Sequence, residues 1–180
     1  MHAIMTVQEY IQLKAFARID GAIMGGLWIV SFACFVMSFH YPMLGTCSLF
    51  MSIGSVIYNI MRVKGFRDNV REGVISFRRC LLYSMLTFLY ASIILVLAQL
   101  IYFKFLDHGA LIGEYMSLLN ADGVRDTIMK LYGLTDKELN EAIALLRAMK
   151  PTDIALQLFM MNLFGGFIVS LFTALIIRRK

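Results

Sequence analysis

The chain has 180 residues, of which 59% are hydrophobic and only 16% are charged, and its formal net charge is +5. A soluble domain is typically about a quarter charged and cannot hide this much apolar surface in one small core. The composition therefore excludes a water-soluble globule. Collagen is also excluded, because the chain has two prolines and its glycines lack a period of three. The sequence is that of an integral membrane protein.

Four segments are long and apolar enough to cross the hydrocarbon core of a bilayer, which needs about 20 helical residues. They cover residues 19–39, 43–61, 80–103 and 154–177. No segment shows the alternating pattern of a membrane strand, so helices are favoured over a barrel. The sequence predicts an all-α integral membrane protein, a four-helix bundle that forms a single membrane domain over residues 1–180.

Lysine and arginine are distributed unequally between the two sides of this topology. One side receives eleven of them, from the N-terminal segment, the loop of residues 62–79 and the C-terminus. The other side receives six, which lie among eight acidic residues in the insert of residues 104–153. Because basic loops remain in the cytoplasm, both termini are predicted to be cytoplasmic and the insert extracytoplasmic.

The insert is the only sizeable water-facing segment of the predicted topology. Thr135 and Glu138 match the T-x-x-E pattern of a capping box, and apolar residues then recur at helical spacing up to Met149. A second, shorter helix is predicted for residues 124–132. Two short amphipathic helices can pack on each other, lie on the outer membrane surface or bind a partner protein.

Small residues recur every four positions in the first and last spans, a pattern that lets membrane helices approach closely. The candidate packing positions are Gly21, Gly25, Gly166, Ser170 and Ala174. They fit close packing within one bundle, and they also fit an interface between copies of the chain. The pattern alone does not separate the two interpretations.

Asp20 is the only acidic residue within the four predicted spans, and it lies at the cytoplasmic entrance of the first one. Ionisable groups are costly in hydrocarbon, so such a residue needs a charge partner or a function. We expect an interfacial ion pair with an arginine of the basic loop, which offers Arg62, Arg67, Arg71, Arg78 and Arg79. A partly exposed pair contributes roughly 1 kcal/mol or less. The alternative is a site that couples protons or ions.

No pattern of a known catalytic, cofactor or metal site occurs in the sequence, which lacks HExxH, Cys-x-x-Cys, G-x-S-x-G, P-loop and dinucleotide-binding motifs. We therefore predict neither an enzyme nor a cofactor. Cys34 and Cys47 lie at similar depth beside the first turn, where two free apolar side chains are favoured over a disulfide. The basic loop is expected to attract anionic lipid headgroups rather than nucleic acid.

Four organisational features occur together in this chain. They are a short first hairpin, a G-x-I-S-F-like segment at 73–77, the amphipathic insert at 133–151, and a last span with Gly and Ser that ends in basic residues at 165–180. In these features the chain resembles a bacterial family of membrane proteins, domain of unknown function 4199. The resemblance implies an inner-membrane protein with four spans, and it implies no activity or functional residue.

The function favoured by the sequence is that of a non-enzymatic inner-membrane accessory or scaffold protein in a cell-envelope complex. Its partner, a second copy or another envelope protein, would bind through residues 104–153. A small oligomeric transporter or channel is the main alternative, although no charge in the middle of a span and no broken helix marks a substrate site. A membrane enzyme that uses His108, Glu114 and Asp122 ranks lowest, because their spacing does not require them to meet.

Overall fold

The structure is a computed structural model that describes residues 5–121 and 123–179. Asp122, one of the three insert residues considered for catalysis, and Lys180 of the basic C-terminus lie outside the described residues. The described part of the chain is helical, and its helices are α1 (Val7–Met37), α2 (Pro42–Val70), α3 (Phe77–Phe105), α4 (Ala110–Leu119), α5 (Val124–Tyr132), α6 (Asp136–Ala148) and α7 (Pro151–Ile177).

Four of these helices, α1, α2, α3 and α7, are long and apolar enough to cross a membrane. This confirms the predicted all-α class, and the chain is a multi-pass membrane protein. The helices extend beyond the predicted spans. With 31 residues, α1 is about 46 Å long, against a hydrocarbon core of about 30 Å. It begins at a capping box formed by Thr6 and Glu9, so the N-terminal segment is the first part of α1.

Residues 62–79, predicted as a loop, are mostly helical. Helix α2 continues to Val70 and α3 begins at Phe77, so only residues 71–76 connect them. The helix continues because the segment after Met61 contains no proline, and because Val63 and Phe66 face the core and are buried. The chain then turns at Glu72 and Gly73, whose φ angles are 53° and 83°.

The described chain forms two compact units, with boundaries between Ala98 and Gln99 and between Gln157 and Leu158. The first unit holds α1, α2 and most of α3 and α7. Side chains from all four helices and from the 71–76 turn form its main apolar core, whose buried members are Leu13, Ala17, Val63, Phe66, Ile75, Cys80, Tyr83, Ala174 and Ile177. Ile75 also exchanges two backbone hydrogen bonds with Arg179, which fixes the C-terminal segment to the turn.

The second unit, residues 99–157, contains α4, α5 and α6 together with the ends of α3 and α7. The sequence predicted α5 and α6, and both are confirmed, but it missed α4. Helix α4 lacks a cap of its own, because Gly109 precedes it with a φ of 84°. Instead, the buried carboxylate of Asp107 accepts hydrogen bonds from the backbone N–H groups of Gly109 and Leu111, at 3.0 Å and 2.8 Å. A carboxylate placed before the helix in this way replaces the missing cap.

The capping box of α6 is confirmed, and we expect it to weaken in acid. Hydrogen bonds from the backbone and hydroxyl of Thr135 lower the pKa of the Glu138 carboxyl below its ordinary value. Because the pKa of Glu138 is lowered in the folded state, the ionised carboxylate stabilises the fold. This contribution has its full value at pH values above the ordinary glutamate pKa, about 4.3. This stability is lost as the pH falls through the lowered value.

Hydrogen-exchange protection factors of the first amides of α6 measure this effect. They should fall in acid in the wild type. In Glu138→Gln, which keeps a hydrogen-bonding side chain without a titrating proton, they should depend less on pH. Equal pH dependence in the two proteins would contradict the role of Glu138.

Candidate functional site

A buried carboxylate lies at the end of the bundle where α2 and α3 are connected. Asp20 of α1 is fully buried, and its Oδ1 accepts a hydrogen bond of 2.7 Å from Nε of Arg62 on α2. Its Oδ2 accepts a hydrogen bond from the hydroxyl of Tyr83 on α3. The hydroxyl of Tyr58 is also buried beside this carboxylate, where it interacts electrostatically with Asp20 but has no hydrogen bond of good geometry. One acidic side chain thus connects three helices.

The position of Asp20 follows from the helical period of α1. Leu13, Ala17, Asp20 and Met24 are buried and lie three or four residues apart, so they share the face that packs into the bundle. Arg62 contacts this carboxylate from the edge of the bundle. Its side chain remains 45% exposed. The ion pair therefore has a buried acidic member and a half-exposed basic member.

The other candidate arginines have different partners. Arg67 is buried, forms a two-point contact with the neighbouring Asp68 and donates to the backbone oxygen of Ile177 at 3.0 Å. Arg71 and Arg79 both bind Glu9, with distances of 2.7 Å. Arg78 is exposed and forms no salt bridge within residues 5–121 and 123–179. Of the five candidates, the structure brings Arg62 to Asp20.

A chain of neutral polar groups continues into the interior of the first unit. The amide nitrogen of Asn59 donates to Ser84 at 2.7 Å and to Thr173 at 3.3 Å. Ser84 in turn donates to Ser170, which donates to the backbone oxygen of Gly166. These groups come from α2, α3 and α7 and are buried. Hydrogen bonds between membrane helices stabilise their association, so this cluster holds the three helices together.

The small residues lie at contacts between helices of the same chain. A Cβ atom built on Gly21 would lie 2.6 Å from Cβ of Tyr90, and one built on Gly25 would lie 2.9 Å from Cβ of Ile94. On α7, a Cβ on Gly166 would lie 2.7 Å from Cβ of Phe88. Ser170 and Ala174, the other two predicted packing positions, are fully buried. Within one chain, these positions therefore allow α1 and α7 to approach α3 closely.

The chemistry available to this site is that of charge neutralisation. Both oxygens of Asp20 are engaged, and the described residues contain no group of three or more His, Cys, Asp or Glu that could hold a metal ion. Cys34, Cys47 and Cys80 are free thiols, of which only Cys80 is buried.

The insert provides a second candidate surface. Arg125 of α5 donates to Asp136 and Asn140 of α6, both at 2.8 Å, which links the two helices. Helix α5 also has an apolar side, and none of its residues is buried. Leu131 and Tyr132 on that side are 73% and 71% exposed. A strongly amphipathic helix with an uncovered apolar side is typical of a surface that binds something else.

Two partners at the site were missed by sequence reasoning. Tyr83 was not considered, although its position early in α3 places it near the depth of Asp20. Glu9 of the N-terminal segment was not considered either, yet it binds two arginines and also caps α1. An acidic residue near the start of a helix, opposite a loop rich in arginine, is the signal that could have found it.

Comparison with protein families assigns most of the chain to one family. A family model described as "Protein of unknown function (DUF4199)" matches residues 20–179. The chain belongs to this family. No curated protein and no solved structure matches the chain significantly. The DUF4199 match includes Asp20, Arg62, Tyr83 and the entire insert, whereas Glu9 lies before it.

Proposed function

We propose that this protein is a non-enzymatic accessory or scaffold subunit of a cell-envelope complex in the bacterial inner membrane. In this proposal the four-helix unit is an anchor and the helical insert binds another envelope protein. The observation that carries the proposal is the uncovered apolar side of α5, where Leu131 and Tyr132 are exposed although Arg125 links α5 to α6.

The contacts around Asp20 support the role of an anchor. A carboxylate that is bound by Arg62 and Tyr83 stabilises the arrangement of α1, α2 and α3. The polar cluster around Asn59 does the same for α2, α3 and α7. A rigid unit held by such contacts suits a protein that presents a binding surface.

The proposal includes an orientation. The basic end of the chain carries eleven lysines and arginines and faces the cytoplasm, so the insert faces the outside. An alkaline-phosphatase-type reporter fused after Gly123 should therefore be active, and one fused after Asn69 should be inactive. The opposite pattern would place the insert in the cytoplasm and would contradict the proposal that the insert binds an envelope protein.

A small transporter or channel is the second candidate, and the full burial of Asp20 in a membrane helix favours it. In that case Asp20 would bind and release a proton or an ion. Such a role requires Arg62 to leave the carboxylate during each cycle, because Arg62 now occupies one of its oxygens. A transporter therefore predicts a measurable flux, whereas a scaffold does not.

Purification in mild detergent followed by mass spectrometry tests the scaffold. Wild type and a Lys130→Ala control, altered at an exposed polar position of α5, should retain one envelope protein in stoichiometric amount. A variant with Leu131→Ser and Tyr132→Ser should lose it. Recovery of the chain alone or only as a homo-oligomer, or retention of the partner by the double variant, would contradict the proposal.

A further inference from the structure

The arginines and lysines at the basic end divide into two classes. Here the basic end means the start of α1, the end of α2, the start of α3 and the end of α7. Arg62, Arg67, Arg71 and Arg79 are bound to Asp20, Asp68 and Glu9, so three of their four charges are offset by carboxylates of the same chain. The second class is exposed and forms no salt bridge among the described residues, and its members are Lys14, Arg18, Lys64, Arg78, Arg178 and Arg179.

The internal pairs leave a strong positive excess on this end. The basic end contains eleven basic and four acidic residues, a formal excess of seven positive charges. Asp20 and Glu9 already bind arginines of the first class. Asp68 lies near Lys64 and Arg179 but is held by Arg67. The exposed cations therefore lack a sufficient number of acidic partners in their own chain.

The exposed cations lie at the depth of lipid headgroups. Lys14 is five residues from the apolar segment that begins at Ile19, and Lys64 is three residues beyond Met61. At about 1.5 Å per residue, these separations are about 8 Å and 5 Å along the helix axis. The headgroup layer on each side of the hydrocarbon core is about 5–8 Å thick. Arg178 directly follows the end of α7 and lies at the same boundary.

Lys14 and Arg18 face outwards from the bundle. They are one helical turn apart, and they belong to an exposed stripe that continues through Ala22 into the membrane span. Leu13 and Ala17, which directly precede the two cations and lie about 100° from them around the helix axis, are buried in the core. A stripe that continues from two cations to exposed apolar residues of the same membrane helix contacts a lipid at both its headgroup and its chains.

We propose that the exposed cations form a binding site for anionic lipid headgroups, with Lys14 and Arg18 of α1 as its principal members. The ligand is a phosphate-bearing anionic lipid of the bilayer around α1. The internally bound arginines fix the helix ends. This site is independent of the insert and of the partner proposed above.

The test uses the full chain purified in mild detergent and measures bound lipid by native mass spectrometry. Phosphatidylglycerol should bind more tightly than phosphatidylcholine. In the double variant Lys14→Gln, Arg18→Gln, the affinity for phosphatidylglycerol should fall by about thirtyfold, since each cation contributes roughly fivefold. The control Arg147→Gln, Lys150→Gln removes one arginine and one lysine, both exposed, from the insert and should leave the affinity unchanged.

The results separate the proposal from its competitors. Equal loss in the control, or equal binding of the two lipids by the wild type, would show a general charge effect and overturn the site. Displacement of the lipid by millimolar inorganic phosphate would show a site for a soluble anion, which also contradicts the proposal. A variant that keeps the thermal stability of the wild type and loses phosphatidylglycerol supports it, because both changed side chains are exposed.

Discussion

Asp20→Asn is expected to lower the free energy of unfolding by about 2 kcal/mol. Removal of one member of a buried ion pair costs about 3–5 kcal/mol, and an orphaned buried hydrogen-bond donor costs about 1–3 kcal/mol. The cost here lies at the lower end, because Arg62 is half-exposed and can turn to water or to headgroups. Arg62 and Tyr83 donate to different oxygens of Asp20, and in asparagine a nitrogen replaces one of these oxygens, so one of the two donors loses its acceptor.

Unfolding by sodium dodecyl sulfate in mixed micelles measures this change. Asp126→Asn is the control, because Asp126 is an exposed acidic residue of α5 that forms no salt bridge within the described residues. Tyr83→Phe should cost less than Asp20→Asn, since it removes only one of the two contacts to the carboxylate. If Asp20→Asn unfolds like Asp126→Asn, the carboxylate does not hold the helices together.

Gly166→Leu is expected to destabilise the bundle by about 1–3 kcal/mol, the usual cost of overpacking a tight contact. A Cβ at this position would lie 2.7 Å from both Cβ and Cγ of Phe88, so α7 must move away from α3. The neighbouring Gly165 provides a matched control on the same helix turn. A Cβ at Gly165 meets nothing within 4 Å, so Gly165→Leu should be nearly silent, as should Ile168→Leu.

Thermal unfolding in detergent distinguishes the two glycine variants. The midpoint should fall clearly for Gly166→Leu and stay near that of the wild type for Gly165→Leu. Equal midpoints would mean that the Gly166 side of α7 faces lipid and that the contact with Phe88 does not exist.

Sequence reasoning recovered the membrane class and the four spans because apolar length is a strong signal in a bilayer. It was less successful at the helix ends. The continuation of α2 to Val70 depends on the burial of Val63 and Phe66. This burial is not evident from the sequence, because the charged residues Arg62 and Lys64 make the segment similar to a loop. Helix α4 was missed because its start depends on Asp107, which lies outside the helix and acts across a turn.

The sequence identifies Asp20 as a candidate site residue, but it does not predict which side chains contact Asp20. Asp20 stands out because acidic residues are rare near membrane spans. Its burial could not be inferred from its position at the end of a span, and the sequence therefore suggested a contribution of roughly 1 kcal/mol or less, as for an exposed pair. The partner among five arginines also could not be inferred, because Glu9 and Asp68 compete for three of them.

The most direct test of the account is a flux measurement on the purified chain reconstituted into sealed vesicles. If Asp20 is a structural contact in a membrane anchor, neither wild type nor Asp20→Asn should conduct protons or small ions above the level of protein-free vesicles at any pH between about 5 and 8. An ion- or pH-dependent flux of the wild type that is abolished in Asp20→Asn would contradict both the structural role of Asp20 and the scaffold function.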